Sequence, residues 1–249
     1  MRPSWVSYRD IVDPKIDVVV SSFGGVMTTT LLRWLRKYKS TNAHNNTDNL
    51  KHTPYPPVGT NPNLHLVYIF DDPILSVLSL FRQQPSQKKS TSLPAKMIQL
   101  ARIKKSDYPP FVIEHYLYLS RKCCLFFLQH RKLRRDLGSL EAYLCSDFGA
   151  LPLCQQFQNW RMEPTLHPIL FVRASTIWDR LDALQSFLDL PEEAIKKFPR
   201  KKERRSSSMD LDPPMQEKLQ QLYGDFAEEI RRMPDVEIRP AKWFTHTPD

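Results

Sequence analysis

Short unbroken apolar runs alternate along the chain with stretches whose apolar residues recur every three or four positions. Residues 16–22, IDVVVSS, follow Pro14 and read as a buried strand. Phe23-Gly24-Gly25-Val26-Met27 comes next, then Thr28-Thr29-Thr30. From there Leu31, Trp34, Leu35 and Tyr38 fall at helical spacing, with Arg33, Arg36 and Lys37 between them. That is a strand, a glycine turn and an amphipathic helix capped by threonine. Residues 40–63 are polar and proline-rich and form a long loop, of the kind that is functional or mobile. His65 to Phe70, HLVYIF, read as a second strand. Asp71-Asp72-Pro73 then open a helix with Asp as N-cap and Pro in the first turn, and Ile74, Val77, Leu78 and Phe81 are its stripe. Residues 83–107 read as exposed, 109–135 as helical and 151–162 as a short helix. Pro168 to Arg173 make a third strand. Ile177, Leu181, Leu184 and Leu188 mark the helix after it, and Met215, Leu219, Leu222, Phe226 and Ile230 stripe a last one.

Strands followed repeatedly by helices predict an α/β fold, a parallel sheet flanked by helices in a single domain over 1–249. The first two strands lack alternation, as expected where both faces are covered.

Composition changes this picture in three ways. Of only 6 glycines, two sit together at Gly24-Gly25, so that turn carries information. Lys and Arg total 36 against 27 Asp and Glu, a formal charge of +9, which suits an anionic partner such as a nucleotide. The longest apolar run, Cys123 to Leu128, is far short of the roughly 20 residues that span a bilayer, and the amino terminus lacks the order of a signal peptide. Cys123, Cys124, Cys145 and Cys154 show no zinc-type spacing and read as reduced thiols in a cytoplasmic protein, with no metal expected.

The first strand, turn and helix have the parts of an anion cradle. Gly24 and Gly25 let the backbone approach a ligand, the helix start presents amides and partial positive charge, and Thr28, Thr29 and Thr30 offer hydroxyls. The plain alternative is a tight turn with a Ser/Thr cap. The Walker lysine is absent before Thr28, which disfavours nucleotide-dependent phosphoryl transfer. The loop 196–205 is strongly basic and reads as a solvated surface, a localisation or nucleic-acid patch, or a flap over a nucleotide, and Ser206-Ser207-Ser208 resemble a basophilic-kinase site. Aromatics do not interleave with these charges, so nucleic acid ranks below nucleotide. Trp160, Trp178 and Trp243 read as packing residues, and Glu192-Glu193 and Glu228-Glu229 as solvated helix faces.

Three segments resemble the sulfotransferase family. SSFGGVMTTTLLRWL is similar to the family's phosphosulfate loop, S-F-P-R-S-G-T-T-W-L, with Ser22-Phe23 and Thr28-Thr29 matching, Gly24-Gly25 in place of Pro-Arg and Met27 in place of the later glycine. YIFDDPILSVLSLFRQ resembles the second nucleotide motif, Y-x-x-R-[ND]-P-x-D-x-x-x-S, through Tyr68, Asp72, Pro73 and Ser79, with Asp71 at the arginine position. PILFVRASTIWDRLDALQSFLDLP resembles the segment that ends F-L-G-L-P, through Phe187-Leu188-Asp189-Leu190-Pro191. The segments come in family order. The resemblance implies a P-loop nucleotide fold and the donor 3′-phosphoadenosine 5′-phosphosulfate (PAPS). Its sulfuryl group would go to a hydroxyl or amine acceptor. Gly24, Gly25, Thr28, Thr29 and Thr30 would hold the 5′-phosphosulfate and Ser79 the 3′-phosphate. The cation missing there would come from Arg82, one helical turn beyond Ser79, or from Arg200, Lys201, Lys202, Arg204 and Arg205 of the basic loop.

The long loop carries Leu50-Lys51-His52-Thr53-Pro54-Tyr55, similar to the family's L-K-T-H-x-P-Y. The resemblance implies His52 as general base and Lys51 as the cation at the bridging oxygen, the two groups that acceptor deprotonation and a charged leaving group require. The alternatives are an exposed dipeptide without a role and, for the whole chain, a non-catalytic binding or scaffold protein of the same fold. The lost loop cation and Asp71 favour that second class.

Overall fold

The structure is a computed structural model and describes residues 10–82, 140–145, 150–151, 153–200 and 211–241. The expectations for 83–107, 109–135, the loop beyond residue 200, Ser206–Ser208, Cys123, Cys124 and Trp243 lie outside these residues. The chain divides into two compact units. The described residues of 10–71, 155–200 and 234–241 form a sheet unit, and those of 72–154 and 211–233 a helical unit.

The sheet unit holds β1 (Val18–Ser22), β2 (His65–Phe70), β3 (Ile169–Arg173) and β4 (Val236–Arg239), in that spatial order. β1, β2 and β3 run parallel, and β4 pairs antiparallel with β3. The helices among the described residues are α1 (Thr28–Leu35), α2 (Pro73–Arg82), α3 (Leu140–Leu144), α4 (Leu153–Met162), α5 (Leu181–Leu188), α6 (Glu192–Lys196) and α7 (Pro213–Arg232). An α/β architecture with a mostly parallel sheet is therefore what this sequence adopts. β2 has the bounds expected from its apolar run, His65–Phe70, while β1 starts two residues later than its run and β3 one residue later. β4 has no counterpart in the sequence reading. Its four residues, VEIR, alternate in polarity and are too short to stand out from the turn before them.

Both sheet faces are covered, which is why the strands read as unbroken apolar runs. On one face Val18, Val20, Val67, Ile69, Leu170 and Val172 pack with Leu31, Leu32 and Leu35 of α1, Leu184 and Leu188 of α5 and Ala194 of α6. On the other, Tyr68 lies 4.8 Å from the Trp160 ring of α4, and Phe70 lies 5.7 Å from Phe157 of the same helix. Trp178 donates to the Pro199 carbonyl and meets Phe198 edge-on, so it packs as expected. The outer edge of β1 is covered too. Val18 donates its amide to Ser40, and the Asn42 side chain both accepts from and donates to the Val20 backbone. That removes an open template for strand addition.

α5 ends at Asp189, whose φ of 47° is left-handed. Its successor Leu190 donates back to the Gln185 carbonyl and is buried. This is the conformation that glycine adopts most readily at a helix end. Glu192 and Glu193 pair with Lys196 and Lys197 one turn on, so this acidic pair is a solvated face as expected.

The Tyr68 hydroxyl is buried with no hydrogen-bond partner, and burial pushes its pKa well above the ordinary phenol value. A buried unpaired hydroxyl costs about 1–3 kcal/mol. Tyr68→Phe is therefore expected to stabilise the protein by up to about that amount, seen as a higher denaturation midpoint at unchanged slope. A variant less stable than the parent would show that the hydroxyl is satisfied in solution.

In the helical unit α2 and α3 pack on α7. Asp72 accepts from the Leu75 amide at 3.0 Å, so the expected Asp cap with Pro at the first position forms α2. Phe81 stacks on Tyr143 at 5.1 Å, and the Tyr143 and Tyr223 hydroxyls meet at 2.6 Å. Among the described residues no helix is long and apolar enough to cross a membrane.

Candidate functional site

β1 ends at Ser22, and the chain reverses through two left-handed glycines, Gly24 (φ 96°) and Gly25 (φ 69°), before α1 opens at Thr28. Residues with a Cβ rarely adopt these angles, so the glycine pair is what allows a strand to pass so abruptly into a helix. The expected threonine cap is not formed. Met27 occupies the cap position without a side-chain bond, because the buried Thr28 hydroxyl turns inward to Ser22 Oγ at 2.7 Å. Ser22 Oγ also accepts the Gly24 amide at 3.1 Å. The Thr28 and Thr30 amides donate to Val26 and Met27 carbonyls. Part of the turn's donor capacity is thus used to build the turn itself.

The loop between α1 and β2 is organised by short polar side chains. Asn46 and Asn49 take left-handed angles, and Asp48 accepts from the Ala43 and Leu50 amides. Burial raises the Asp48 pKa, against the pull of those amides. Asn46 accepts from the Lys51 amide, and Leu50 is buried. These Asx-type turns with an apolar plug lead into a 3₁₀ turn, Leu50–His52. Ser21 Oγ then donates to the Lys51 carbonyl, fastening that turn to β1.

The consequence is a constellation that no single segment contains. Lys51 Nζ donates to Thr29 Oγ1 at 2.5 Å, in the first turn of α1, and to the His44 carbonyl at 3.3 Å. His52 Nδ1 lies 2.9 Å from the Ser22 carbonyl oxygen. A carbonyl only accepts, so Nδ1 carries the proton, and the neutral ring keeps its lone pair on Nε2. Gly24, Gly25, Thr28, Thr29, Lys51 and His52 are therefore brought together at the carboxyl end of β1. Thr30 lies in the same first turn, exposed.

The electrostatics of Lys51 are unfavourable as they stand. Burial, and then the charge of Arg33, lower its pKa below the ordinary lysine value. The positive end of α1 adds to the penalty, and among the described residues no carboxylate pairs with it. Because the folded pKa is depressed, Lys51 costs stability at neutral pH. That cost fades as pH rises from the lowered value toward the ordinary 10.5. A bound anion would remove it at any pH.

Gln156, Asn159 and Trp160 of α4 were not singled out for the site by the sequence reading. Gln156 Nε2 donates to the carbonyls of Ser22 (3.2 Å) and Thr53 (2.9 Å), Trp160 Nε1 to Thr53 (3.0 Å) and Asn159 to Pro54 (3.2 Å). Their signal was the i, i+3, i+4 spacing, which puts all three on one helix face. Trp160 is the packing residue expected and a hydrogen-bond donor besides.

Ser79 and Arg82, expected to hold a 3′-phosphate, lie on α2 of the helical unit. Ser79 is half-buried, and Arg82 is the last residue of the helix. Asp71, at the family's arginine position, is buried and accepts from Ser175 Oγ at 3.1 Å. It is a carboxylate held within the sheet unit.

No protein-family model matches the chain, and neither a curated protein nor a solved structure matches it.

Proposed function

We propose that this protein is a divergent sulfotransferase-like enzyme of the P-loop nucleotide class, moving a sulfuryl group from PAPS to a hydroxyl or amine acceptor. The observation that carries the reading is the convergence of Lys51 and His52 on the glycine turn. A cation bound to Thr29 and a histidine bound to Ser22 stand at the start of one helix. Two further observations support it. β1 enters α1 through paired glycines, with Thr28 opening the helix. Asp189, where the family's F-L-G-L-P has glycine, takes a left-handed angle.

In this reading Lys51 replaces the cation that the turn lacks. It suits an anionic group because, among the described residues, no carboxylate pairs with its charge. The donor supplies an electrophilic sulfur on a good leaving group. His52 Nε2 accepts the acceptor's proton while the acceptor's oxygen or nitrogen bonds to sulfur and the donor's bridging oxygen–sulfur bond breaks. Lys51 opposes the charge that grows on the departing oxygen. A second reading, a non-catalytic binding protein of this fold, is favoured by the buried carboxylate of Asp71 and by the engaged Gly24 amide.

Calorimetric titration with adenosine 3′,5′-bisphosphate tests both. Lys51→Met is expected to weaken binding about 10- to 150-fold, since a hydrogen bond to a charged group contributes about 1.5–3 kcal/mol. The same substitution is expected to raise the melting temperature of the ligand-free protein, because it removes an unfavourable charge. Equal affinity of parent and variant would remove Lys51 from the site. Binding without sulfuryl transfer would select the second reading.

A further inference from the structure

We infer that Gln156 is the positioning residue of this site, fixing His52 in the tautomer that leaves Nε2 as proton acceptor. The inference rests on the reading of His52 as the base and extends it to a helix that carries none of the family-like motifs. The Ser22 carbonyl accepts two bonds, one from His52 Nδ1 at 2.9 Å and one from Gln156 Nε2 at 3.2 Å. The same Gln156 nitrogen donates at 2.9 Å to the carbonyl of Thr53, the residue after His52. Both partners are pure acceptors, so the amide must present its NH₂ group to them. One side chain therefore ties the end of β1 to the backbone beside the histidine. The separation between His52 and its acceptor is set from outside the loop.

Gln156 is itself 3% exposed. A primary amide in such a place is costly unless its bonds are made, and a methionine would fill the same space more simply. Its retained polarity has a use if the carbonyl it holds has a second client. A histidine's tautomer is dictated by the bond that its other nitrogen makes. An unrestrained Ser22 carbonyl would let the ring turn and place its proton on Nε2, where it could no longer accept one. Thr53 has a second donor, Trp160 Nε1 at 3.0 Å, so loss of Gln156 leaves the loop's other anchor in place.

The test reads the His52 ring nitrogens by ¹⁵N NMR of the full chain at a pH where the ring is neutral. It is combined with steady-state sulfuryl transfer. The parent is expected to show Nδ1–H. Gln156→Met is expected to show a mixture or Nε2–H and to lose about 10- to 100-fold in kcat with the donor KM unchanged, by analogy with the range for outer partners that orient metal-bound histidines. Trp160→Phe, which removes a bond to Thr53 and none to Ser22, is expected to keep the parental tautomer. Gln156→Asn, one methylene too short to span both carbonyls, gives the same test if the methionine variant does not fold. A parent ring with its proton on Nε2 overturns the inference, as does a Gln156 variant that keeps both tautomer and kcat. If no form transfers sulfuryl groups, the reaction falls but the tautomer shift still decides the role of Gln156.

Discussion

His52→Ala is expected to lower kcat by about 10²–10⁴ while leaving the affinity for adenosine 3′,5′-bisphosphate nearly unchanged. The imidazole stands at the end of β1 with its Nδ1 proton given to Ser22, so its remaining nitrogen suits general-base catalysis and makes no demand on the donor's phosphates. The split between kcat and binding separates it from Lys51, whose removal is expected to damage both. The activity should fall as the ring is protonated at low pH, and the alanine variant should lose that acid limb. A fully active variant would end the catalytic assignment. The fold would stand, since it rests on β1, β2, β3 and their helices.

Trp160→Ala is expected to cost about 3–5 kcal/mol of stability, the range for deleting a large buried aromatic. The ring is fully buried against Tyr68, 4.8 Å away, on the sheet face that α4 covers. Its indole nitrogen also holds the Thr53 carbonyl, though Gln156 donates there too, so most of the loss is cavity rather than an orphaned acceptor. Trp160→Phe should cost clearly less, because it keeps most of the packed volume. Calorimetric melting of the two variants beside the parent measures the difference. A small loss on Trp160→Ala would mean that α4 collapses onto the sheet and would undercut the placement of Gln156.

Local chemistry was legible. Strands such as HLVYIF announce themselves because an unbroken β-branched and aromatic run has one economical use, burial on both faces of a sheet. The Gly24-Gly25 turn was legible for a similar reason, since two successive positive angles, φ of 96° and 69°, come to glycine at no steric cost. Asp72-Pro73 gave the start of α2, because capping and a fixed proline φ act within four residues. The threonine cap of α1 failed because a tertiary partner, Ser22, competed for the Thr28 hydroxyl. β4 was missed because its pairing with β3 comes from across the chain and leaves little pattern in four residues.

What the sequence determined by itself is therefore the alternation of strand and helix, the glycine turn and the presence of Lys51 and His52 in a loop. Tertiary structure alone decided that this loop returns to the turn. It put Lys51 Nζ on Thr29 and His52 Nδ1 on Ser22, across separations of 22 and 30 residues. It also decided that Gln156, 134 residues from Ser22, holds the same carbonyl. The physical reason is range. Backbone propensity and capping act over a few residues and are written in neighbouring letters. A hydrogen bond between a loop side chain and a strand end depends on where buried Leu50 and the packed α4 carry the backbone, which no local pattern records.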